Sequence, residues 1–126
     1  MLPVAARPGA RRLLRPDGST LIARLETATG FVQRFRGLLG RERIDADEAL
    51  LFPKTTSLHM IGMRFPIAVL WLAPAGADGY TEVLGTALLQ PWRGIGIAPR
   101  GTDAALEGHP DLLRTVRIGD RLRAVD

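Results

Sequence analysis

A small set of side chains that could bind a polar ligand stands in otherwise apolar stretches of this sequence. The set combines an imidazole, guanidinium groups, an indole and a carboxylate, and such groups hold anionic or polyhydroxylated molecules. We expect them to line one polar pocket, because turns at Gly62 and Pro91 would bring strand ends to a common opening of a small barrel. The candidate ligand-binding residues are His59, Arg64, Trp92, Arg93 and Glu107, with Arg36 as a cationic partner for the carboxylate.

Several of these residues also have a purely structural interpretation. His59 could be a core histidine whose ring nitrogens are satisfied by backbone groups. Trp92 could cover one end of the core. Glu107 ends an apolar run, and a carboxylate in that position needs a partner, for which Arg36 or Arg93 would serve.

Catalytic and metal-binding patterns are weak in this chain. It has no cysteine, which excludes disulfides, thiol nucleophiles and thiolate metal sites. No serine lies in a Gly-x-Ser-x-Gly turn, and the spacing of Ser57 and His59 is too common to indicate a hydrolase. The acidic residues of the segment 45–48 lack the glycine and the distal glutamate of a calcium loop. We therefore predict no catalytic residue, no metal ligand and no cofactor.

Positive charge is concentrated near the amino terminus. Residues 1–43 carry nine arginines and three acidic residues, for +6, whereas residues 44–126 carry eight basic and ten acidic residues, for −2. A basic end is compatible with binding to nucleic acid or to an anionic membrane. However, no basic run alternates with aromatic side chains, and all basic residues except Lys54 are arginine. We therefore do not predict a nucleic-acid partner.

Length and hydropathy predict one domain without a membrane span. The 126 residues match a single domain, and the longest apolar run, Ile67–Ala73, is far shorter than the roughly 20 residues of a transmembrane helix. The first residues contain no apolar stretch typical of a signal peptide, so we expect a cytoplasmic protein, or an exported one already trimmed. Residues 1–10 are predicted to form a flexible tail and residues 11–126 a single β-rich domain.

Turn residues and alternating patterns predict a mainly β fold. A hairpin is expected where residues 16–19 separate two apolar arms, and the second arm, 20–25, should alternate with one face buried. A small β-barrel or roll of the α+β type, with one or two short helices, fits strands at intervals of roughly ten residues. Further strands are expected over residues 49–52, 57–60, 66–73, 80–89, 102–107 and 121–125.

Two segments have a helical pattern. Apolar residues at positions 31, 32, 35, 38 and 39 form one helical stripe, and residues 109–116 allow one or two helical turns. The exposed face of the 31–39 helix is a candidate surface for an alternative function, that of a protein-interaction or assembly module.

Three motifs together resemble a known prokaryotic family. They are Arg34-Phe-Arg-Gly-Leu-Leu-Gly-Arg41, Ala49-Leu-Leu-Phe52 and His59-Met-Ile-Gly-Met-Arg-Phe-Pro-Ile67. The chain is similar to the family called domain of unknown function 192, in a sister branch that carries His-x-x-Gly-Met-Arg-Phe-Pro-Ile. The resemblance covers roughly residues 12–125. It implies a compact, β-rich, barrel-like domain with short helices, and it implies no reaction.

The chain departs from that family pattern in the second and third motifs. Ala68 stands where the family has aspartate, Met60 where it has threonine, and Ala49-Leu50 where it has Gly-Met. If the family aspartate carried chemistry, this member lacks it. The leading hypothesis is a non-enzymatic small-ligand-binding or accessory domain with an anionic or otherwise polar ligand. A protein-interaction module comes second, and a hydrolytic or metal-dependent enzyme third.

Overall fold

The computed structural model of the protein describes residues 11–28 and 41–126. The tail predicted over residues 1–10 and the helix predicted over residues 31–39, which includes Arg36, lie outside the described residues. Within the described residues the chain forms nine β-strands and one short helix. In chain order these are β1 (Arg11–Leu14), β2 (Thr20–Thr27), β3 (Glu48–Pro53), β4 (Ser57–His59), β5 (Ile67–Leu72), β6 (Tyr80–Leu89), β7 (Ile95–Ile97), β8 (Ala104–Gly108), α1 (Leu112–Thr115) and β9 (Arg121–Val125).

Seven of the described strands form a closed barrel in the order β1-β2-β3-β8-β5-β6-β9. β2 and β3 pair in parallel, the other neighbours pair antiparallel, and β9 closes the ring by pairing with β1. β4 and β7 pair only with each other among the described strands, as a separate two-stranded sheet. The predicted mainly β, barrel-like fold is confirmed, whereas the sequence does not predict β7.

The first hairpin follows from its turn residues. Gly18 has φ +87° and donates its N–H to the carbonyl of Arg15 at 2.9 Å. A left-handed φ favours glycine, which has no Cβ to clash with the backbone. The Asp17 carboxylate accepts the backbone N–H of Ser19 at 2.8 Å and so fixes the loop. The predicted hairpin over this segment is confirmed.

The second strand of that hairpin does not alternate as predicted. Ala23 and Arg24 both donate their N–H groups to the carbonyl of Asp47, each at 3.0 Å. The register of β2 with β1 shifts between the pairs Leu13–Ile22 and Arg11–Leu25, which marks a β-bulge. As a result Ile22 and Leu25, three positions apart, are both buried in the barrel, with 0% and 1% of their surface exposed. The simple alternation expected over 20–25 is therefore wrong.

The barrel interior is filled by apolar side chains, and α1 lies at one of its ends. Leu112 of α1 packs so closely on β8 that a Cβ on Gly108 would clash with its Cδ1 atom. Burial of this kind supplies most of the stability of a small barrel, at about 25 cal/mol per Å² of apolar surface. The interior cluster includes Leu13, Ile22, Leu25, Ala68, Leu70, Val83, Leu106, Leu112 and Leu122.

A second apolar cluster covers the outer face of β5 and its neighbours. β5 is buried at every position, so its side chains alternate between the two clusters. Ile67, Val69 and Trp71 point outward. The β4–β7 sheet lies over this face, because a Cβ on Gly96 would be 3.0 Å from the Trp71 ring. The continuous apolar run in the sequence is explained by this burial on both faces.

Candidate functional site

The backbone joins the His59 segment to the Trp92–Gly94 segment. Met60 donates its N–H to the carbonyl of Gly94 at 2.9 Å, and its own carbonyl accepts the N–H of Trp92 at 2.9 Å. His59 stands opposite Ile95 in the β4–β7 register. Two segments that are distant in the sequence therefore form one local structure, held together by backbone hydrogen bonds.

Gly94 makes this junction close enough to form. A Cβ at this position would lie 2.8 Å from the carbonyl oxygen of Gln90 and 2.8 Å from Cγ of Met60. The Gly94 N–H also donates to that same Gln90 carbonyl at 2.9 Å. Because one obstacle is backbone, a side chain here would push the loop away from β4.

Trp92 is held in a strained backbone conformation. Its φ is 67°, and the N–H of Arg93 donates to the carbonyl of Pro91 at 2.8 Å. This pattern is that of a classical γ-turn, which is rare, and a bulky aromatic residue at positive φ is unusual. The side chain is 62% exposed, so Trp92 does not cover the core. Strain at an exposed aromatic residue is typical of functional loops.

The outward face of the β4–β7 sheet is apolar on one strand and polar on the other. Directly opposite residues of an antiparallel pair share a face, so Ser57 lies beside Ile97 and His59 beside Ile95. Ile95 and Ile97 are 72% and 79% exposed, and Ile61 in the adjoining turn is 60% exposed. His59 is exposed as well, which contradicts its interpretation as a core histidine.

Cations flank this sheet at both ends. Along the chain, Lys54 precedes β4 and Arg100 follows β7 at the end where Ser57 meets Ile97, whereas Arg64 follows β4 and Arg93 precedes β7 at the other end. All four side chains are exposed, and none forms an ion pair or side-chain hydrogen bond within ranges 11–28 and 41–126.

The segments that build this region contain no acidic residue. Neither residues 53–66 nor residues 90–102 include Asp or Glu. We call the exposed side chains of these two segments the β4–β7 surface. Several arginines elsewhere among the described residues lie beside carboxylates: Arg24 is 2.9 Å from Asp47, and Arg11 is 3.0 Å from Asp126.

Glu107 lies apart from this surface, on barrel strand β8. It stands between Leu50 of β3 and Val69 of β5 in the register, and 7% of its surface is exposed. No residue in the described ranges hydrogen-bonds or ion-pairs with its carboxylate, so the expected pairing with Arg93 is wrong, and Arg36 lies outside those ranges. Burial raises the pKa of Glu107 to about 7, because the charged form loses its hydration.

The predicted site residues are thus only partly brought together. His59, Arg64, Trp92 and Arg93 lie on or beside the β4–β7 sheet, whereas Glu107 belongs to the barrel wall. Their role in ligand binding stays a prediction. The exposed isoleucines of β7 were missed because a three-residue strand offers too few positions for an alternating pattern to be recognised.

A separate cavity of about 340 Å³ opens at the end of the barrel, away from α1. None of the predicted site residues lines it. The walls are interior leucines, and the rim carries alanines, a glycine and three polar side chains, Arg11, Thr81 and Asp103. The small rim residues leave one end of the barrel unfilled. The sequence does not reveal this cavity, because the residues that meet at the rim are known only when the strand ends are known.

The described residues show no metal centre and no membrane helix. They contain no group of three or more histidine, aspartate or glutamate side chains that could hold a metal ion. None of the helices within these ranges has the length and apolar character needed to cross a bilayer.

Comparison with known families places the chain in one of them. The model of the family DUF192, described as Uncharacterized ACR, COG1430, matches residues 13–124. The chain belongs to the DUF192 family. The resemblance expected from the sequence motifs is confirmed. No curated protein matches the chain.

Two crystal structures are similar to this DUF192 domain. A candidate transcription regulator from Sinorhizobium meliloti has 23% sequence identity and a TM-score of 0.72, and the match covers 91% of this chain and 92% of that one. A protein of unknown function from Novosphingobium aromaticivorans has 20% identity and a TM-score of 0.65, over 90% and 83% of the two chains. At these identities the likeness supports the fold alone.

Proposed function

We propose that this DUF192 domain is a non-enzymatic binding module that recognises an acidic, extended segment of a partner protein through the β4–β7 surface. The single observation that carries the proposal is the composition of that surface. Trp92, Ile95 and Ile97 are exposed on it, four cations without an ion pair in the described residues flank its strands in the chain, and neither segment that builds it contains an acidic residue. Exposed apolar groups rimmed by charge are typical of interaction sites.

The strand geometry favours an extended partner. Met60 donates its N–H to the carbonyl of Gly94, and Ala98 donates its N–H to the carbonyl of Thr56 at 2.8 Å, so the residues on either side of β4 direct these backbone groups toward the β7 segment. In an antiparallel pair the alternate residues, here Ile95 and Ile97, then direct N–H and C=O groups to the outer edge. An incoming strand can use those groups, as in β-strand addition.

The charges favour an acidic partner over a second copy of this chain. Arg93 precedes β7 and Arg100 follows it, so pairing β7 with itself would bring like charges together. A partner with acidic residues at both ends of a short apolar centre would instead match each cation. The centre spans about 10 Å, the length of a three-residue strand at about 3.3 Å per residue.

The small anionic ligand expected from the sequence remains a second occupant of the same cations. Trp92 is 62% exposed and lies on an open surface, which provides less enclosure than a small molecule needs. A larger partner would cover more of the apolar area. The two occupants are distinguished directly by experiment.

The test is titration of the protein with a nine-residue peptide that has two glutamates at each end and alternating valine and threonine in the centre. A peptide with lysine in place of glutamate, one with serine in place of valine, and citrate serve as comparison ligands. Binding of the first peptide alone supports the proposal. Equal binding of citrate would assign the site to small anions, and binding of none of these would overturn the proposal.

Matched variants locate the binding site. Arg93→Glu should weaken peptide binding about fivefold or more. The substitution removes one exposed ion pair, worth about 1 kcal/mol, and places a negative charge next to the peptide's glutamates. Arg117→Glu, at an exposed arginine outside the surface, should change binding little. Ile97→Ser should also weaken binding, whereas Ile118→Ser, at an isoleucine that is 67% exposed elsewhere, should not.

A further inference from the structure

The open end of the barrel is a second place where this protein could hold a ligand. Its cavity of about 340 Å³ falls within the size range of small-molecule sites. At about 30 Å³ per water-sized group, it has room for roughly ten non-hydrogen atoms. This end is distinct from the β4–β7 surface, since no residue of that surface lines it.

The cavity wall selects for an apolar body. Leu13, Leu25, Leu51, Leu72 and Leu106 line it, and each belongs to a different barrel strand. The polar side chains among the lining residues are Arg11, Thr81 and Asp103, all at the rim, so the inner wall formed by the leucines presents no side-chain nitrogen or oxygen. An apolar group in this space would therefore displace water without leaving a buried donor or acceptor unpaired.

The rim carries charges of both signs, but they are not equally available. Arg11 donates through Nε to the carboxylate of Asp126 at 3.0 Å and through Nη2 to the carbonyl of Ala124 at 3.1 Å. Thr81 donates its hydroxyl to the carbonyl of Ala73. Both groups thus already have partners.

Asp103 is different. Its backbone N–H donates to the carbonyl of Leu72 at 2.8 Å, which fixes the residue at the rim between β5 and β8. Its carboxylate has no hydrogen bond or ion pair with any residue of the described ranges. Among the residues that line the cavity, the uncompensated charge is therefore negative.

We infer that the barrel mouth binds a small amphipathic primary amine, with its apolar body between the interior leucines and its ammonium group beside Asp103. The ammonium group supplies a cationic partner for the Asp103 carboxylate, and the body of about ten non-hydrogen atoms fills the space. Nothing in this inference depends on the partner proposed for the β4–β7 surface.

The experiment compares three probes of equal chain length, octylamine, octanol and octanoate, by calorimetric titration and ligand-observed NMR at concentrations below self-association. We expect octylamine to bind about threefold tighter than octanol, the gain of one partly exposed ion pair, and octanoate to bind most weakly. Octanoate binding as tightly as octylamine, or no saturable binding of any probe, would overturn the inference.

Two variants and a control distinguish the contribution of the ligand's apolar body to binding from that of its head group. Asp103→Asn should abolish the preference for octylamine over octanol and leave octanol affinity unchanged. Asp111→Asn, at an exposed aspartate of the α1 end, should preserve the preference. Ala104→Leu, which fills the cavity from β8, should remove binding of all three probes while the peptide titration at the β4–β7 surface is unaffected. Retained octylamine binding in that variant would place the amine elsewhere and refute the inference.

Discussion

Glu107 of β8 stands directly opposite Val69 of β5, on the outer face of the barrel, with Leu50 of β3 on its other side. A carboxyl group thus lies between two apolar neighbours, and no residue of the described ranges pairs with it. Desolvation raises its pKa from 4.5 to about 7. This arrangement makes the stability of the fold depend on pH near neutrality.

We expect the free energy of unfolding to decrease as pH rises from about 5 to about 7.5. The folded state holds the Glu107 proton more tightly than the unfolded state, so the stabilisation is complete below pH 4.5 and is lost as pH passes through about 7. A raised pKa of this size corresponds to about 3 kcal/mol. Urea unfolding at several pH values measures it.

The matched variants for this pH dependence are Glu107→Gln and Glu82→Gln. The first should flatten the profile between pH 5 and 7.5, because its side chain has no proton to release. The second changes an exposed carboxylate of β6 and should keep the slope. An equal slope in Glu107→Gln and the natural protein would assign the pH dependence to other groups.

Gly94→Ala should destabilise the protein and weaken peptide binding together. The new methyl group would clash with the Gln90 carbonyl at 2.8 Å, and overpacking of this kind costs about 1–3 kcal/mol. Gly76→Ala is the control, since its nearest atom would be an exposed Asp78 side-chain oxygen at 3.2 Å. An unchanged melting temperature in Gly94→Ala would show that the junction between β4 and the 90–94 loop can accommodate the added methyl group.

The two tryptophans should respond in opposite ways. Trp92→Gly relieves a left-handed conformation that costs about 1–2 kcal/mol and loses little burial, so the melting temperature should stay the same or rise. Trp71→Ala removes a side chain that is 3% exposed and should cost about 3–5 kcal/mol.

Fluorescence and binding report on the same pair. In Trp92→Gly the remaining emission should come from the buried Trp71 and shift to shorter wavelength, while affinity for the acidic peptide falls. A stability loss in Trp92→Gly as large as that in Trp71→Ala would mean that Trp92 is a structural residue.

Ala68→Asp should destabilise the barrel severely. Ala68 is 0% exposed and belongs to the interior cluster, opposite Gly108 of β8 and Leu88 of β6. An unpaired carboxyl group there would cost several kcal/mol, or remain protonated. Ala68→Val is the control for added volume without charge. If Ala68→Asp had the same melting temperature as the natural protein, the interior would contain a polar partner for this position.

Local chemistry in the sequence was sufficient for much of the fold. The sequence predicts the turn at residues 16–19 and the strands β5, β6 and β9 to within a few residues. Those predictions are confirmed. The order of strands could not be predicted in this way. The parallel pairing of Arg24 through Thr27 with Glu48 through Leu51 joins segments whose sequences carry no mutual signal.

Some residues of the candidate surface were predictable from the sequence, but its isoleucines and its shape were not. His59, Trp92 and Arg93 are unusual for their contexts, so the sequence singles them out. Their exposure could not be anticipated, because a polar residue in an apolar run fits a pocket floor as well as a surface strand. Glu107 was expected to have a partner on general grounds, and burial without one within the described residues is visible only in three dimensions.

The pairing of β1 with β9 has a consequence for how the protein is made. Residues Arg12 to Leu14 pair with residues Arg123 to Val125, so the first described strand cannot complete its pairing until the last one has been synthesised. During synthesis at about 5–20 residues per second, the ring stays open for several seconds after its first hairpin has left the ribosome. Until β9 emerges, the edges of β1 and β6 are unpaired, and such edges can pair with strands of a neighbouring nascent chain on the same messenger RNA.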